Sequence, residues 1–390
     1  MPIDRSSLDR AVDELRDVLC DLARRIHDHP ELRFEEHKAA AWIAETLEQH
    51  GKVAVERGTG GLATAFRARA GTTDRPTIAV LAEYDALPAI GHACGHNLIA
   101  AGAVGAFLAL CRHASELPGT VQIIGTPAEE GGGGKVKLIA ANAFAGIDAA
   151  MMYHPFDRDI LAHPSLANTW LDMAFHGKPA HAAAAPWDGQ SALTACMETF
   201  RLVDSQRVHF RDGVRVHGFI TDGGQAVNII PERAACQINV RAHDSTELAR
   251  VHAIVERCAR GAALACGVEV TITVKPGYRE LRHNMTMARH LGNILEQFGR
   301  NPRERDDRVG IGSTDMGDVS QLLPAVHLCL GICDEGASLC HEHEFARMAR
   351  SDRGMETMLV AAKAMARTIA DLIEDESLLA RTTQEFTATA

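Results

Sequence analysis

Four uncharged stretches of this chain, each six or more residues long, lead into side chains that can bind a metal or move a proton. "TIAVLAEYDALP" runs into Glu83 and Asp85, and "GTVQIIGTPAEEGGGG" into Glu129 and Glu130. "IDAAMMYHP" reaches His154, and "AVHLCLGICDEG" precedes a loop carrying His341 and His343. Short apolar runs separated by helical patterns predict strands buried on both faces, the habit of a parallel sheet covered by helices. Open α/β sheets gather their sites beyond the carboxyl ends of the strands, which is where these donors fall. The expected fold class is therefore α/β with a mostly parallel central sheet.

Helices are predicted ahead of this sheet. "SSLDRAVDELRDVLCDLARRIHDH" reads as one helix stopping before Pro30, and "EEHKAAAWIAETLEQHG" as a second, with Gly51 as its C-cap. Between about Asn168 and Pro276 the pattern changes to alternating strands and amphipathic helices in the order β-α-β-β-α-β, the ferredoxin-like arrangement. A chain of 390 residues exceeds one ordinary core. We read 1–167 and 279–390 as two parts of one domain, with 168–278 inserted between them.

The formal net charge of −11 gives no electrostatic footprint for nucleic acid or an anionic membrane surface. "MPIDRSSLDRAVDELRDVL" is charged throughout, unlike a signal peptide, and no segment approaches the ~20 apolar residues of a membrane span. Ten scattered cysteines read as free thiols in a reducing cytoplasm.

"IGHACGHNLIAAG" offers Cys94 as nucleophile, metal ligand or buried small residue. A nucleophile needs a positioned base and a lowered pKa, and that reading leaves Glu129, Glu130, His154 and His341 unused. A metal site uses them all, because thiolate, imidazole and carboxylate suit an ion such as zinc. His96 joins Cys94 as a ligand, while His92 is either a neighbour of the ligands or part of the loop. Of the adjacent pair Glu129–Glu130, one carboxylate can bind metal while the other faces substrate as general base. Spacing alone does not choose between His341 and His343, and Cys329 and Cys333 read as packing residues of their strand.

Together these segments resemble the dinuclear metallopeptidase family that includes aminoacylase, hippurate hydrolase, auxin-amide hydrolases and carboxypeptidase G. "RRIHDHPELRFEEHKAA", "EYDALP", "GHACGHN", "GTPAEEGGGGK", "YHP", "HGKPAHAAAAPWDGQSAL", "GGQAVNIIPERA" and "GSTDMGDVS" look like its blocks, in order over nearly the whole chain. The combination of "EYDALPAIGHACGHN" with "GSTDMGDVS" looks most like the aminobenzoyl-glutamate hydrolase and dipeptide hydrolase branch.

The resemblance implies a zinc-peptidase-like catalytic domain with an inserted lid that also makes a homodimer. It implies two divalent ions per subunit, zinc first, with manganese or nickel as alternatives. Cys94 would bridge them, His96 and Glu130 would complete one site, and His154 and the C-terminal histidine the other. Similar members place phenylalanine four residues after that histidine, which selects His341, with Phe345, over His343. Glu129 would be the general base, Asp85 would orient a ligand, and His181 would stabilise the oxyanion. Asn228 and Arg241 would bind substrate, with Ser313, Thr314 and Asp315 lining the pocket. Many relatives carry aspartate at the positions of Glu83 and Asn97, so Glu83 either touches a metal or marks the branch.

The implied activity is hydrolysis of the amide bond of an N-acyl amino acid, an aminobenzoyl-glutamate-like conjugate or a dipeptide. Its competitors are hydrolysis of another C–N bond, such as deamination of a small aromatic acid, a metal-free cysteine hydrolase, and a binding protein on the same fold.

Overall fold

The uncharged runs become strands of one six-stranded sheet in a computed structural model that describes residues 2–306 and 312–388. Three helices open the chain: α1 (Arg5–Glu14), α2 (Arg16–Asp28) and α3 (His37–Gly51). Then come β1 (Val55–Arg57), β2 (Phe66–Gly71), β3 (Thr77–Ala82), α4 (His96–Cys111), β4 (Thr120–Gly125), α5 (Gly134–Ala140) and β5 (Ala149–Phe156). The middle of the chain holds β6 (Ala167–His176), α6 (Ala192–Gln206), β7 (Arg215–Asp222), β8 (Arg233–Ala242), α7 (Ser245–Cys266) and β9 (Glu269–Pro276). The remainder is α8 (Met285–Gln297), α9 (Met316–Leu322), β10 (Ala325–Gly331), α10 (His343–Met348), α11 (Asp352–Glu374) and α12 (Glu376–Ala388).

These elements form two compact units, one of residues 2–164, 281–306 and 318–388 and the other of 165–280 and 312–317. In the first, the strand order is β1-β2-β4-β3-β5-β10. β3 runs parallel to β4 and β5, and β10 parallel to β5, while β2 is antiparallel to both its neighbours. Every residue of β3, β4 and β10 is buried, which explains why their sequences lack the alternation of half-exposed strands. α4 is buried from His96 to Leu110. A helix apolar all round needs cover on every side, and α4 lies against β3, β4 and β5 with α1, α2, α3 and α11 around it. Its first residue thus enters the site from the centre of the core.

Two expectations change in detail. The single helix read before Pro30 is broken at Leu15, where ψ rises to 1°. The break lets two short apolar stripes, Leu8 with Val12 and Leu19 with Ile26, each meet α4 and α11. Gly51 is the last helical residue of α3, and Lys52 takes the left-handed cap conformation instead. A Cβ on Gly51 would sit 2.9 Å from the Leu108 side chain, so this glycine serves close packing on α4.

The second unit has an antiparallel sheet in the order β7-β8-β6-β9, with α6 and α7 packed on it. Leu171, Met173 and Phe175 alternate inward from β6 to meet Cys236, Ile238 and Val240 from β8. Asp244 caps α7 by accepting the Glu247 amide, and Gly267 ends it with φ +68°. Segment 312–317 joins this unit through Leu166 N–H donating to the Gly312 carbonyl at 2.8 Å.

Candidate metal centre

The site lies in the first unit, at the carboxyl ends of β3, β4 and β5. After β3 the chain passes through Glu83 and Asp85 and returns with Cys94. Gly95 then turns it into α4 with φ +76°, and a Cβ there would meet the Pro155 ring at 2.8 Å, so only glycine lets Cys94 and His96 stand this close to β5. After β4, Thr126 N–H still bonds to Ala82 O at 2.8 Å, and the chain then bends at Ala128, a non-glycine residue with φ +61°. That strained position is held from below: buried Glu36 accepts the amides of Ala128 and Phe34 on Oε1 and the Thr64 hydroxyl on Oε2, each at 2.9 Å. His341 has φ +73° and is tied to the Cys94 loop by its amide donating to Ala93 O at 2.9 Å.

These turns converge six donors. Cys94, His96 and His154 form one group with ligand atoms all within 4.8 Å of one another, and Cys94, Glu130 and His341 form another. His96, Glu129 and Glu130 make a third. Cys94 is common to the first two, which suits a bridging thiolate. The trios overlap, since His96 stands with His154 in the first and with Glu130 in the third, the second pairing being the one the resemblance implies.

Hydrogen bonds aim the rings. Asp85 Oδ1 lies 3.0 Å from His96 Nδ1, and its Oδ2 accepts the Glu130 amide at 2.9 Å. His96 and the Glu130 amide, with Lys135 nearby, overcome the upward pull of burial and hold the Asp85 carboxyl below its ordinary range. An ionised carboxylate only accepts, so Nδ1 carries a proton and Nε2 is the nitrogen turned toward the donor cluster. His154 Nδ1 faces the Pro155 carbonyl at 2.7 Å, leaving Nε2 3.6 Å from Cys94 Sγ. Burial, with the charge of His96 adding to it, pulls His154 down to about 4, so its ring is a neutral ligand at ordinary pH.

The donor set fits a cation. His96 Nε2 and Glu83 Oε2 face each other at 3.5 Å and Glu130 Oε1 lies 3.3 Å from His341 Nε2, buried polar atoms with no well-formed hydrogen bond, a costly state that a bound cation relieves. Burial lowers the affinity of His96 for a proton, yet Asp85, Glu83 and Glu130 together raise its pKa well above normal, so the cavity favours positive charge. The Cys94 thiol is pushed well up by its contact with Cys340, by burial and by Glu130 and Glu129. That is the reverse of an activated nucleophile. Soft thiolate, imidazole and carboxylate at these separations suit zinc and its neighbours among the transition metals.

Other candidates find different places. His92 is buried beside His27, pulled down to about 3 by burial, and belongs to none of the three groups. His343 begins α10 on the exposed surface, while Phe345 is buried near Gly95. Asn97 donates to the Ala23 and Ala349 carbonyls at 3.2 and 3.0 Å, bonds that an ionised aspartate cannot make. Cys329 and Cys333 are buried in and just after β10. Three residues carry weight that sequence reasoning did not assign. Lys135, the residue behind the glycine run, is buried with Nζ 2.5 Å from Glu83 Oε1. Glu36 sits under Ala128, and the ring of buried His327 lies 5.3 Å from that of His154. A lysine following "GGGG" and a glutamate inside "RFEEH" were the available signals.

Within the second unit, exposed His181 pairs with Ile229 in a β-bridge, and the Ala182 amide donates to Asn228 O at 3.0 Å. His181 Nδ1 accepts the amides of Ala183 and Ala184 at 3.3 and 3.1 Å, which leaves Nε2 as the outward nitrogen. Arg241 donates through Nε to Asn239 Oδ1 at 2.9 Å and through Nη1 to Ser313 Oγ at 3.3 Å. Thr314 Oγ1 accepts the Met316 amide at 3.2 Å, and Asp315 is buried. This unit therefore brings His181 to Asn228, and Arg241 to Ser313.

Comparison with known proteins agrees with this architecture. The Xaa-Arg dipeptidase of Mus musculus is 36% identical over 96% of this chain and 90% of its own length. One of the subunits of the p-aminobenzoyl-glutamate hydrolase of Escherichia coli strain K12 is 29% identical over 97% of this chain and 94% of its own. Among solved structures, the Bacillus subtilis YXEP protein, a dinuclear metal binding peptidase, superposes with a TM-score of 0.73 at 22% identity, covering 93% of this chain and 99% of that one. The pattern of peptidase family M20/M25/M40 matches residues 79–371. That span holds all six converging donors, and with it the chain belongs to peptidase family M20/M25/M40.

Proposed function

We propose that this chain is a two-ion amidohydrolase that cleaves a dipeptide or a similarly small amide such as an aminobenzoyl-glutamate-like conjugate. The observation that carries the reading is Cys94 Sγ standing in both donor groups, one with His96 and His154, the other with Glu130 and His341. Each group would hold one ion, zinc first, with manganese or nickel as alternatives. When bound, the ions supply a Lewis acid for the amide carbonyl and lower the pKa of water toward neutrality. Glu129, beside His96 and Glu130, accepts a proton from the attacking water and returns it to the departing amine. Asp85 keeps the His96 lone pair on the ion side.

The resemblance gives His181 the developing oxyanion, a contact worth about 3–4 kcal/mol in other enzymes, and Nε2 is the nitrogen its backbone partners leave unused. Arg241, braced by Asn239 and Ser313, takes a substrate carboxylate, for which its fork of donors is suited. Asn228, Ser313 and Thr314 would bind substrate as the resemblance implies, Asn228 beside His181 and Ser313 beside Arg241. β7 is a sheet edge with Phe219 and Ile220 exposed, which supports a homodimer made by pairing such edges. All ten cysteines are free, which supports a reducing, cytoplasmic setting.

The test combines metal analysis with hydrolysis assays on one preparation, as purified and after chelation, for wild type and Glu129→Ala. The panel holds Xaa-Arg and Xaa-Lys dipeptides, aminobenzoyl-glutamate and hippurate. Two ions per chain, turnover lost on chelation and a metal-loaded but inactive Glu129→Ala are expected. Full turnover without metal overturns the proposal.

A further inference from the structure

Cys94 stands in both donor groups, and its sulfur touches a second thiol that neither group includes. That thiol is Cys340, beside His341 in the loop after β10. The His341 amide donates to Ala93 O at 2.9 Å, so Cys340 and Cys94 are the residues next to that bond on either side. These are the places of a non-hydrogen-bonded pair in an antiparallel ladder, whose Cα atoms stand about 4.5 Å apart. A disulfide spans Cα separations of about 4.4–6.8 Å.

The two cysteines differ in reach. Cys94 is buried, whereas Cys340 is only partly buried where it packs on the main core. An oxidant arriving from solvent therefore meets Cys340 first. Cys196 and Cys236 also touch each other, but both are buried in the core of the second unit, shut off from such an oxidant. Cys94 has, besides, two competing uses for one sulfur. A thiolate shared by two cations has its lone pairs engaged, and a sulfur bonded to Cys340 is no longer a thiolate. The same atom serves either the ions or Cys340.

We propose that Cys94 and Cys340 form a reversible disulfide in the metal-free chain, which blocks loading of both ion positions until it is reduced. The proposal rests on the two-ion reading. The oxidant is a peroxide: hydrogen peroxide gives one oxygen to the Cys340 thiol, making a sulfenic acid, and leaves as water. The Cys94 sulfur then attacks the Cys340 sulfur, the S–O bond breaks, and the hydroxyl group departs with the Cys94 proton as a second water. Two thiols have together lost two electrons and two protons, and a dithiol reductant returns both. Ions bound first hold the Cys94 thiolate and protect it.

Hydrogen peroxide treatment of the full chain tests this, on wild type and Cys340→Ser, each metal-stripped or loaded with zinc. Disulfides are read by mass spectrometry of unreduced peptides, and zinc binding by competition with a chromophoric chelator. Before treatment both proteins should bind zinc alike, which also shows the variant to be folded; Cys340→Ala, run alongside, carries the same expectation. Peroxide should link Cys94 to Cys340 in metal-stripped wild type and weaken its zinc binding by about tenfold or more, as loss of a ligand or its support does elsewhere. Dithiothreitol should restore it. Zinc-loaded wild type should form less of the linked peptide, and Cys340→Ser should keep its zinc affinity through the treatment. Absence of the Cys94–Cys340 peptide from stripped wild type, equal linkage with zinc bound, or an equal loss of affinity in Cys340→Ser overturns the proposal while the two-ion reading stands. If untreated wild type binds fewer than two zinc ions, the two-ion reading itself falls and takes this proposal with it, whatever the peptides show.

Discussion

Asp85 joins His96 to Glu130: one oxygen faces the ring nitrogen at 3.0 Å and the other accepts the backbone amide at 2.9 Å. A single carboxylate thereby sets both the tautomer of a histidine from α4 and the path of the loop after β4. Asp85→Asn turns an NH₂ group against one of two N–H donors, so one bond becomes a repulsion. The expected result is metal affinity lowered about 10–100-fold, read by competition with a chromophoric chelator. Affinity equal to wild type would show that the ring is oriented by packing alone.

Cys94 separates the metal reading from the nucleophile reading. As a shared ligand, its replacement by serine should lower occupancy of both ion positions together, measured by elemental analysis after dialysis. A nucleophile would lose turnover and keep its metal.

Of the two histidines in "CHEHEF", only His341 reaches the cluster. His341→Ala should lower kcat/KM by at least about 100-fold, in line with loss of a group that acts at the reacting centre. His343→Ala, on the exposed start of α10, should stay within about twofold of wild type, as surface substitutions usually do. Steady-state kinetics on one dipeptide substrate decides both.

Glu36 gives a pH prediction. Burial raises its pKa to about 7, with the charge of Asp85 adding to the effect. The unfolded chain releases that proton near pH 4.3, so between there and about 7 the folded state holds the extra proton. Stability from this group is therefore present at low pH and lost as pH rises through about 7. Glu36→Gln keeps the acceptor for the Phe34 and Ala128 amides and adds a donor for Thr64. Urea unfolding at pH 5 and pH 8 should show the variant gaining on wild type at the higher pH, by up to about 3 kcal/mol. An identical pH slope in both proteins would remove Glu36 as its source.

The sheet was legible because its strands are buried on both faces, so β3, β4, β5 and β10 stand out as uncharged runs with donors at their ends. The donors were legible for the same reason, since the chemistry sits where the pattern stops. The break at Leu15 was not, because apolar periodicity continues through it on both sides. Nor was the pairing of donors, for spacing along the chain says nothing about which strand lies beside which. His154 stands with Cys94 because β5 is the parallel neighbour of β3. Lys135 and Glu36 were hidden by their type: charged residues are read as surface until a structure places them in the core.

Between His154 and His341 the chain builds the entire second unit before β10 docks along β5, Ala325 opposite Ala150. A ribosome adding roughly 5–20 residues per second takes on the order of ten seconds or more to cover that gap. During it the growing chain has already issued Cys94, His96 and His154, while the group that needs His341 has no last member. The last member of the Cys94–Glu130–His341 trio is thus supplied only as the final portion of the chain arrives, and α11, which covers α4, comes later still.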